Sequence, residues 1–206
     1  GKRGLEANQT IELGGVAGVA GARLMSAIAA EGDPLADVTY RIGGASQNAA
    51  FAGTILNSGT SNVADIVSVE KVGSNTQTFS GPNTYSGPTT VNGGKLVVNG
   101  THQPDAATLL PVGDYTVNAG GTLGGIGAIG TGTDLVDVLV NGGTIAPGDS
   151  LGTLTFNGNA TFGNNMNVNG VISGNSDVVW SILPTSAVGG GIVTLGAQNT
   201  YTGSSR

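Results

Sequence analysis

The 206-residue chain has no cysteine, one histidine and one tryptophan, with aromatic residues at 4% and charged residues at 10%. Without cysteine there are no disulfides, no thiolate metal ligands and no thiol nucleophile. The scarcity of aromatics leaves Val, Ile, Leu, Ala and a few Phe to build any core, which suits a thin repetitive interior better than a large globular one. Basic residues are few: 7 Lys and Arg against 13 Asp and Glu give a formal charge of −6 and a sequence pI near 4.4. Duplex nucleic acid is thereby excluded as a partner, because neutralising phosphates requires a basic face. Long hydrophobic runs are also missing. The weakly polar stretch 14–30 is dominated by Gly and Ala, is interrupted by Arg23 and is too short and too weakly apolar to span a bilayer, so no membrane insertion of this segment is expected. Lys2 with Arg3 and the Ala27-Ile28-Ala29 box would frame a signal peptide, but Glu6, Asn8, Gln9, Thr10 and Glu12 stand where its apolar segment belongs, and none is expected here.

What the chain has in excess is glycine, 38 of 206 residues, or about one in five where ~7% is usual. A mean hydropathy of +0.14 and 38% hydrophobic content nevertheless argue for a folded chain, since disorder needs low hydrophobicity and high net charge. Self-similarity supplies the architecture. Val91-Asn92-Gly93-Gly94-Lys95-Leu96 is echoed by Val117-Asn118-Ala119-Gly120-Gly121-Thr122-Leu123 and by Val140-Asn141-Gly142-Gly143-Thr144-Ile145, at steps of 26 and 23 residues. Each echo reads as a short strand, a turn supplying positive φ, and a second short strand. A longer-range copy relates Asn83-Thr84-Tyr85-Ser86-Gly87 to Asn199-Thr200-Tyr201-Thr202-Gly203.

Between the echoes the alternation has period two: Leu154 and Phe156 among threonines, Ala160 with Phe162, Met166 with Val168. Residues 20–30 alone have helical composition and are expected to form a helical turn or loop. Among sandwich, barrel and solenoid, the repeat selects a solenoid of parallel β-coils. At about 23–26 residues per coil and ~4.8 Å per coil, 206 residues predict eight or nine coils and a rod on the order of 40 Å long. Residues 1–37 are expected to form less regular coils, and residues 38–206 the repeats, ending inside a repeat at the C-terminus.

These residues resemble the β-helical passenger region of bacterial autotransporters, and in particular the passenger-associated transport repeat. The central resemblance is residues 71–100, KVGSNTQTFSGPNTYSGPTTVNGGKLVVNG, with its Lys-x-Gly, Phe-Ser-Gly, Asn-Thr-Tyr-Ser-Gly, Thr-Thr-Val and Gly-Gly-x-Leu elements. Residues 141–158 (NGGTIAPGDSLGTLTFNG) resemble the block that often follows such repeats, and Phe51-Ala52-Gly53-Thr54-Ile55 the coil that often precedes them. Asn75 departs from the pattern, standing where the family more often has Gly. The resemblance implies an all-β, single-stranded right-handed parallel β-helix on the surface of, or secreted by, a Gram-negative-like bacterium. The right hand also follows the general preference for right-handed crossovers.

The residues that could carry chemistry are sparse. His102, in Gly100-Thr101-His102-Gln103-Pro104-Asp105, is expected to be a solvated loop residue; Asp105 is its nearest acid, and no Gly-x-Ser-x-Gly elbow accompanies it. Asp134, Asp137 and Asp149 are the carboxylates that a carbohydrate-active β-helix would use, but no basic cluster accompanies them and they are expected to be solvated turn residues. Gly130-Thr131-Gly132-Thr133-Asp134-Leu135 fits most of a calcium nonapeptide, with Ile129 in place of its first Gly; a single copy cannot supply the six to eight oxygens required. Gly124-Gly125-Ile126-Gly127 and Gly142-Gly143 lack the Lys-[Ser/Thr] of a phosphate loop and are expected in turns. Tyr85 and Tyr201, at equivalent repeat positions, are expected to be structural, and Trp180 to lie in the core. The sequence therefore predicts a non-enzymatic extracellular solenoid, a stalk, adhesin scaffold or fibre subunit that stacks head-to-tail, with no catalytic, cofactor or metal site. Its expected partners are further copies of itself and host or matrix glycans. The alternative is a carbohydrate-active or glycan-binding β-helix.

Overall fold

Thr, Val and Ile favour extended backbone, and Asn and Gly between them favour turns; the computed structural model shows the described strands falling into eight successive coils. It describes residues 9–26, 37–58, 66–104, 113–130, 135–148 and 153–162 in full, and the backbone of the strands at 167–168, 171–173, 178–180 and 194–195. The first coil holds β1 (Gln9–Leu13) and β2 (Arg23–Met25), and the second β3 (Val38–Ile42), β4 (Ala49–Phe51) and β5 (Thr54–Leu56). The third holds β6 (Val67–Lys71) and β7 (Thr76–Phe79). The fourth holds β8 (Thr89–Val91), β9 (Gly94–Val98) and β10 (Thr101–His102), the fifth β11 (Tyr115–Asn118), β12 (Gly121–Gly125) and β13 (Ala128–Ile129). Then come β14 (Val138–Asn141), β15 (Thr144–Pro147) and β16 (Thr153–Phe156); β17 (Ala160–Phe162), β18 (Asn167–Val168) and β19 (Val171–Ser173); and β20 (Val178–Trp180) with β21 (Thr194–Leu195). No helix occurs among the described residues.

Corresponding strands stack in parallel, which is what a solenoid requires. The first face is the eight-stranded sheet β1-β3-β6-β8-β11-β14-β17-β20, and the second is the seven-stranded sheet β4-β7-β9-β12-β15-β18-β21. The third face consists of β2-β5 and β10-β13-β16-β19, connected through Asn83, which bridges to His102, and Thr84, whose N–H donates to the Ile55 carbonyl at 2.8 Å. The protein is an all-β parallel solenoid.

Register fixes the coil lengths. Gln9 pairs with Val38 and Val38 with Val67, steps of 29 residues. Val69 pairs with Thr89, Thr89 with Tyr115, Tyr115 with Val138, and Val138 with Ala160, steps of 20, 26, 23 and 22. The echoes seen in the sequence are thus literal columns: Val91, Val117 and Val140 stack in register, as do Leu96, Leu123 and Ile145. Residues 9–26 share this pairing, β1 aligning with β3 over all five positions. Within residues 20–30 the structure shows a strand, not a helical turn: Arg23, Leu24 and Met25 pair with Thr54, Ile55 and Leu56. Pairing with the next coil outweighs the local helical composition.

Period two sorts each strand into an inner and an outer row. In β3, Val38, Tyr40 and Ile42 are buried while Thr39 and Arg41 are half-exposed. Leu154, Phe156, Ala160 and Phe162 are buried as their alternation predicts. The core is a set of columns one residue wide, so every inner side chain touches its equivalents one coil away.

Candidate functional site

The inner columns are interrupted by polar side chains concentrated in the third coil and the start of the fourth: Lys71, Asn75, Gln77, Asn83, Ser86 and Thr89 are all buried. Lys71 occupies the column that elsewhere holds Ile42, Val91, Val117 and Val140. Its Nζ donates to the Val72 carbonyl at 2.6 Å, Asn75 Oδ1 at 3.0 Å and the Gly93 carbonyl at 3.2 Å. An ammonium has three hydrogens and finds three oxygens here. Burial away from water lowers the Lys71 pKa from its ordinary value. Room for the ammonium depends on Gly94, whose φ is +62° and where a Cβ would stand 2.9 Å from Lys71 Nζ and 2.5 Å from the Asn75 carbonyl. Asn75 completes the brace by donating from Nδ2 to the Gln47 carbonyl at 2.9 Å.

Gln77 links coils that are not neighbours. Its Oε1 accepts the Val16 N–H at 2.9 Å and its Nε2 donates to the Val16 carbonyl at 2.8 Å, so the side chain hydrogen-bonds to Val16 as a strand would. The reach past the second coil is open because the position between them in the column is Ala49. Asn83 accepts the Ile55 N–H on Oδ1 at 3.0 Å. Tyr85 Oη and Thr89 Oγ1 share a 2.6 Å hydrogen bond, and burial pushes the Tyr85 hydroxyl up to about 12.

His102 departs from the sequence expectation of a solvated loop residue: it is fully buried. Thr101 and His102 continue the third face as the short strand β10, so alternation puts Thr101 outside and His102 inside, above Ile129 and Phe156. Its ring stacks on Tyr85 at 4.1 Å between centroids and meets Tyr115 edge-on at 5.4 Å. Nε2 lies 2.8 Å from the Tyr85 carbonyl; a carbonyl only accepts, so Nε2 carries the proton and Nδ1 is left as a buried acceptor with no partner. Desolvation lowers its pKa to about 4, and the ring is neutral at pH 7. The Ile129 and Phe156 echo of its column is the signal that would have placed it.

Outside, side chains form ladders along the rod. Arg41 bridges Glu12 at 3.0 Å and Glu70 at 3.2 Å. Asn92 donates to Glu70 at 2.8 Å, Asn118 to Asn92 at 2.7 Å and Asn141 to Asn118 at 3.1 Å. At the corner entering the first sheet, carboxylates cap amides of the next coil: Asp37 accepts the N–H of Ile66, Asp114 that of Asp137, and Asp137 that of Asn159. Desolvation raises the Asp114 carboxyl from its ordinary value. Asp137 is therefore a capping residue, with its second oxygen 3.4 Å from Asn159 Nδ2. Asp105, Asp134, Asp149 and Tyr201 lie outside the described residues, as does most of the calcium-like stretch. Trp180 pairs with Phe162 through the backbone of β20. Gly142 turns between β14 and β15 as expected, but Gly124 and Gly125 lie within β12, where the Lys95 stem covers Gly124: a Cβ there would stand 2.9 Å from Lys95 Cε. Among the described residues no three His, Asp or Glu side chains are grouped for a metal.

The outer face of the second sheet carries a shallow depression of about 400 Å³ across β4, β7 and β9. Ala50, Thr78 and Val97 form its floor, and Asn48, Lys95 and Asn99 are among its other lining residues.

Stacked parallel coils with a buried polar brace in the third and fourth define a β-solenoid built from repeats. The family model of the passenger-associated-transport-repeat matches residues 69–98 and 187–205, two stretches of the chain that are consistent with an autotransporter passenger region built from such repeats. The first match runs from the middle of β6 to the end of β9 and encloses the whole brace from Lys71 to Thr89. No curated protein and no solved structure matches the chain.

Proposed function

We propose that the chain is part of the extracellular passenger of a Gram-negative autotransporter and that its role is mechanical: a rigid stalk or adhesin scaffold that holds other surfaces away from the cell. The observation that carries this reading is the repeat at residues 69–98 lying within an unbroken stack of parallel coils. Interior packing and outer side-chain ladders both run along the rod, which is the arrangement that resists bending. The reading is non-enzymatic. His102 is neutral and enclosed by tyrosines, and Asp137 is committed to Asn159.

The same reading includes end-to-end stacking into fibres. It is supported by β1, which among the described residues pairs with β3 alone, and by Ile11, 37% exposed at a column position that Tyr40 and Val69 fill as buried residues in the next coils. Surface proteolysis of the native bacterium combined with electron microscopy tests both parts. Expected is release of a protease-resistant fragment that appears as rods. Retention of the fragment inside intact cells would overturn the extracellular reading, and rods of uniform single length at high concentration would overturn the stacking.

A further inference from the structure

Beyond the scaffold role, and independent of it, we propose that β10 is an acid-opened flap: when His102 takes up a proton its ring turns out to water, β10 leaves the third face, and Tyr85 and Tyr115 are uncovered while the first two faces stay paired. The closed geometry has no place for a second proton on the ring. Nε2 already donates to the Tyr85 carbonyl at 2.8 Å, and Nδ1 is buried with no partner. A proton from water binds at Nδ1, and the imidazolium then has two N–H donors, one of which faces no acceptor. A buried cation with an unmade hydrogen bond is costly, and the ring escapes that cost by reaching water. Nothing described around the ring offsets the charge. Tyr85, from the link between β7 and β8, stacks on it, and Tyr115 of β11 meets it edge-on; burial pushes both hydroxyls up, so both are neutral in acid. Thr89 of β8 bonds to Tyr85, Asn83 of the third coil bridges to His102, Ile129 of β13 lies next in the column, and Gly113 lies against the ring, where a Cβ would stand 3.0 Å from its Cε1. Asp114, beside Tyr115 in sequence, is exposed and accepts the Asp137 N–H.

The strand that carries the ring is lightly held. β10 is two residues long and pairs with β13 over those two; towards the third coil it meets Asn83 through a single bridge. In the same coil β8 is paired with both β6 and β11, and β9 with both β7 and β12. Release of β10 breaks the bonds from the Asn83 N–H to the Thr101 carbonyl at 2.8 Å, from the Gln103 N–H to the Asn83 carbonyl at 2.9 Å and from the Gly130 N–H to the His102 carbonyl at 2.8 Å, and leaves the pairing of β8 and β9 intact. Local openings of this size precede global unfolding. The fully buried Tyr85 and Tyr115 then form an aromatic patch that the rod presents only in acid.

The test follows amide hydrogen exchange and side-chain NMR signals of the whole chain between pH 7.5 and 4; the single histidine gives one unambiguous ring signal. With the ordinary value of 6.5 lowered to about 4 in the closed form, the opening equilibrium rises about 100-fold by pH 4. Expected at pH 4.5, after correction for intrinsic exchange, are protection factors at least tenfold lower for the Gln103 and Gly130 amides and less than threefold lower for those of Val69 and Asn92, which bond across the first sheet. The Tyr85 and Tyr115 ring signals should broaden with a neutral gadolinium chelate in acid and not at pH 7.5. His102→Gln, which does not titrate, should keep β10 protected over the same range, and the parent's own amide and ring signals decide the outcome where that variant does not fold. The proposal is overturned if Gln103 and Gly130 stay protected to pH 4, if Asn92 loses protection in parallel with them, if the two tyrosine rings stay shielded, or if a folded His102→Gln opens as the parent does.

Discussion

Acid should weaken the solenoid at its fourth coil before carboxylates begin to protonate, because His102 is buried in its neutral form. The ordinary pKa of 6.5 falls to about 4 in the folded protein. A depressed histidine contributes its stability in full above pH 6.5 and loses it as pH falls towards 4, because the unfolded chain binds the proton first. A separation of about 2.5 units at 1.36 kcal/mol per unit gives roughly 3 kcal/mol lost by pH 4. That would lower a melting temperature by roughly 6–12 °C in a domain of this size. The assay compares thermal and guanidinium unfolding between pH 7.5 and 4.5 for the parent and for His102→Gln, whose amide can still donate to the Tyr85 carbonyl but does not titrate. The parent should lose about 2–3 kcal/mol more than the variant over that range. Superimposable pH profiles would refute the argument, since every other titrating group is common to both proteins.

Other perturbations separate the inner brace from the outer ladders. Lys71→Met keeps the volume but strands the Val72 and Gly93 carbonyls and Asn75 Oδ1, and should cost about 3–5 kcal/mol in denaturant unfolding. Gly94→Ala should also destabilise, by more than 1 kcal/mol, because it places a Cβ against Lys71 and the Asn75 carbonyl at positive φ. Gln77→Leu should leave the later coils intact while the Val16 amide loses hydrogen-exchange protection, since that amide donates to the Gln77 side chain. Asn118→Ala, in the exposed ladder, should change stability by less than about 0.5 kcal/mol.

The fold was legible because a solenoid writes its geometry into the sequence as a period. Val91, Val117 and Val140 recur at the steps by which the backbone actually pairs, and alternation placed Leu154, Phe156 and Phe162 on the inner side. Where local composition and stacking disagreed, stacking won: Arg23, Leu24 and Met25 form a strand because Thr54, Ile55 and Leu56 offer one to pair with. The buried polar brace was not legible. Lys71 and Gln77 look like solvent residues by type, and only their register with Ile42 and Leu96 shows that they point inward. The inward side of His102 is hidden for the same reason, its two-residue strand being too short to show alternation by itself. The outer depression draws on residues from three successive coils, Ala50, Thr78 and Val97, which no sequence window brings together.

The central claim, parallel stacking in this register, is most directly tested by cross-linking, for which a chain without cysteine is well suited. Thr116 and Leu139 are paired on neighbouring coils of the first sheet with outward side chains, and adjacent strands lie about 4.8 Å apart, within the Cα separation a disulfide accepts. The Thr116→Cys, Leu139→Cys double variant should close an intramolecular disulfide under mild oxidation, detected by mass spectrometry as the loss of two hydrogens. The Thr116→Cys, Val140→Cys variant, one residue out of register and pointing inward, should not. Closure of the second pair in place of the first, or of neither, would contradict the stacked-coil account.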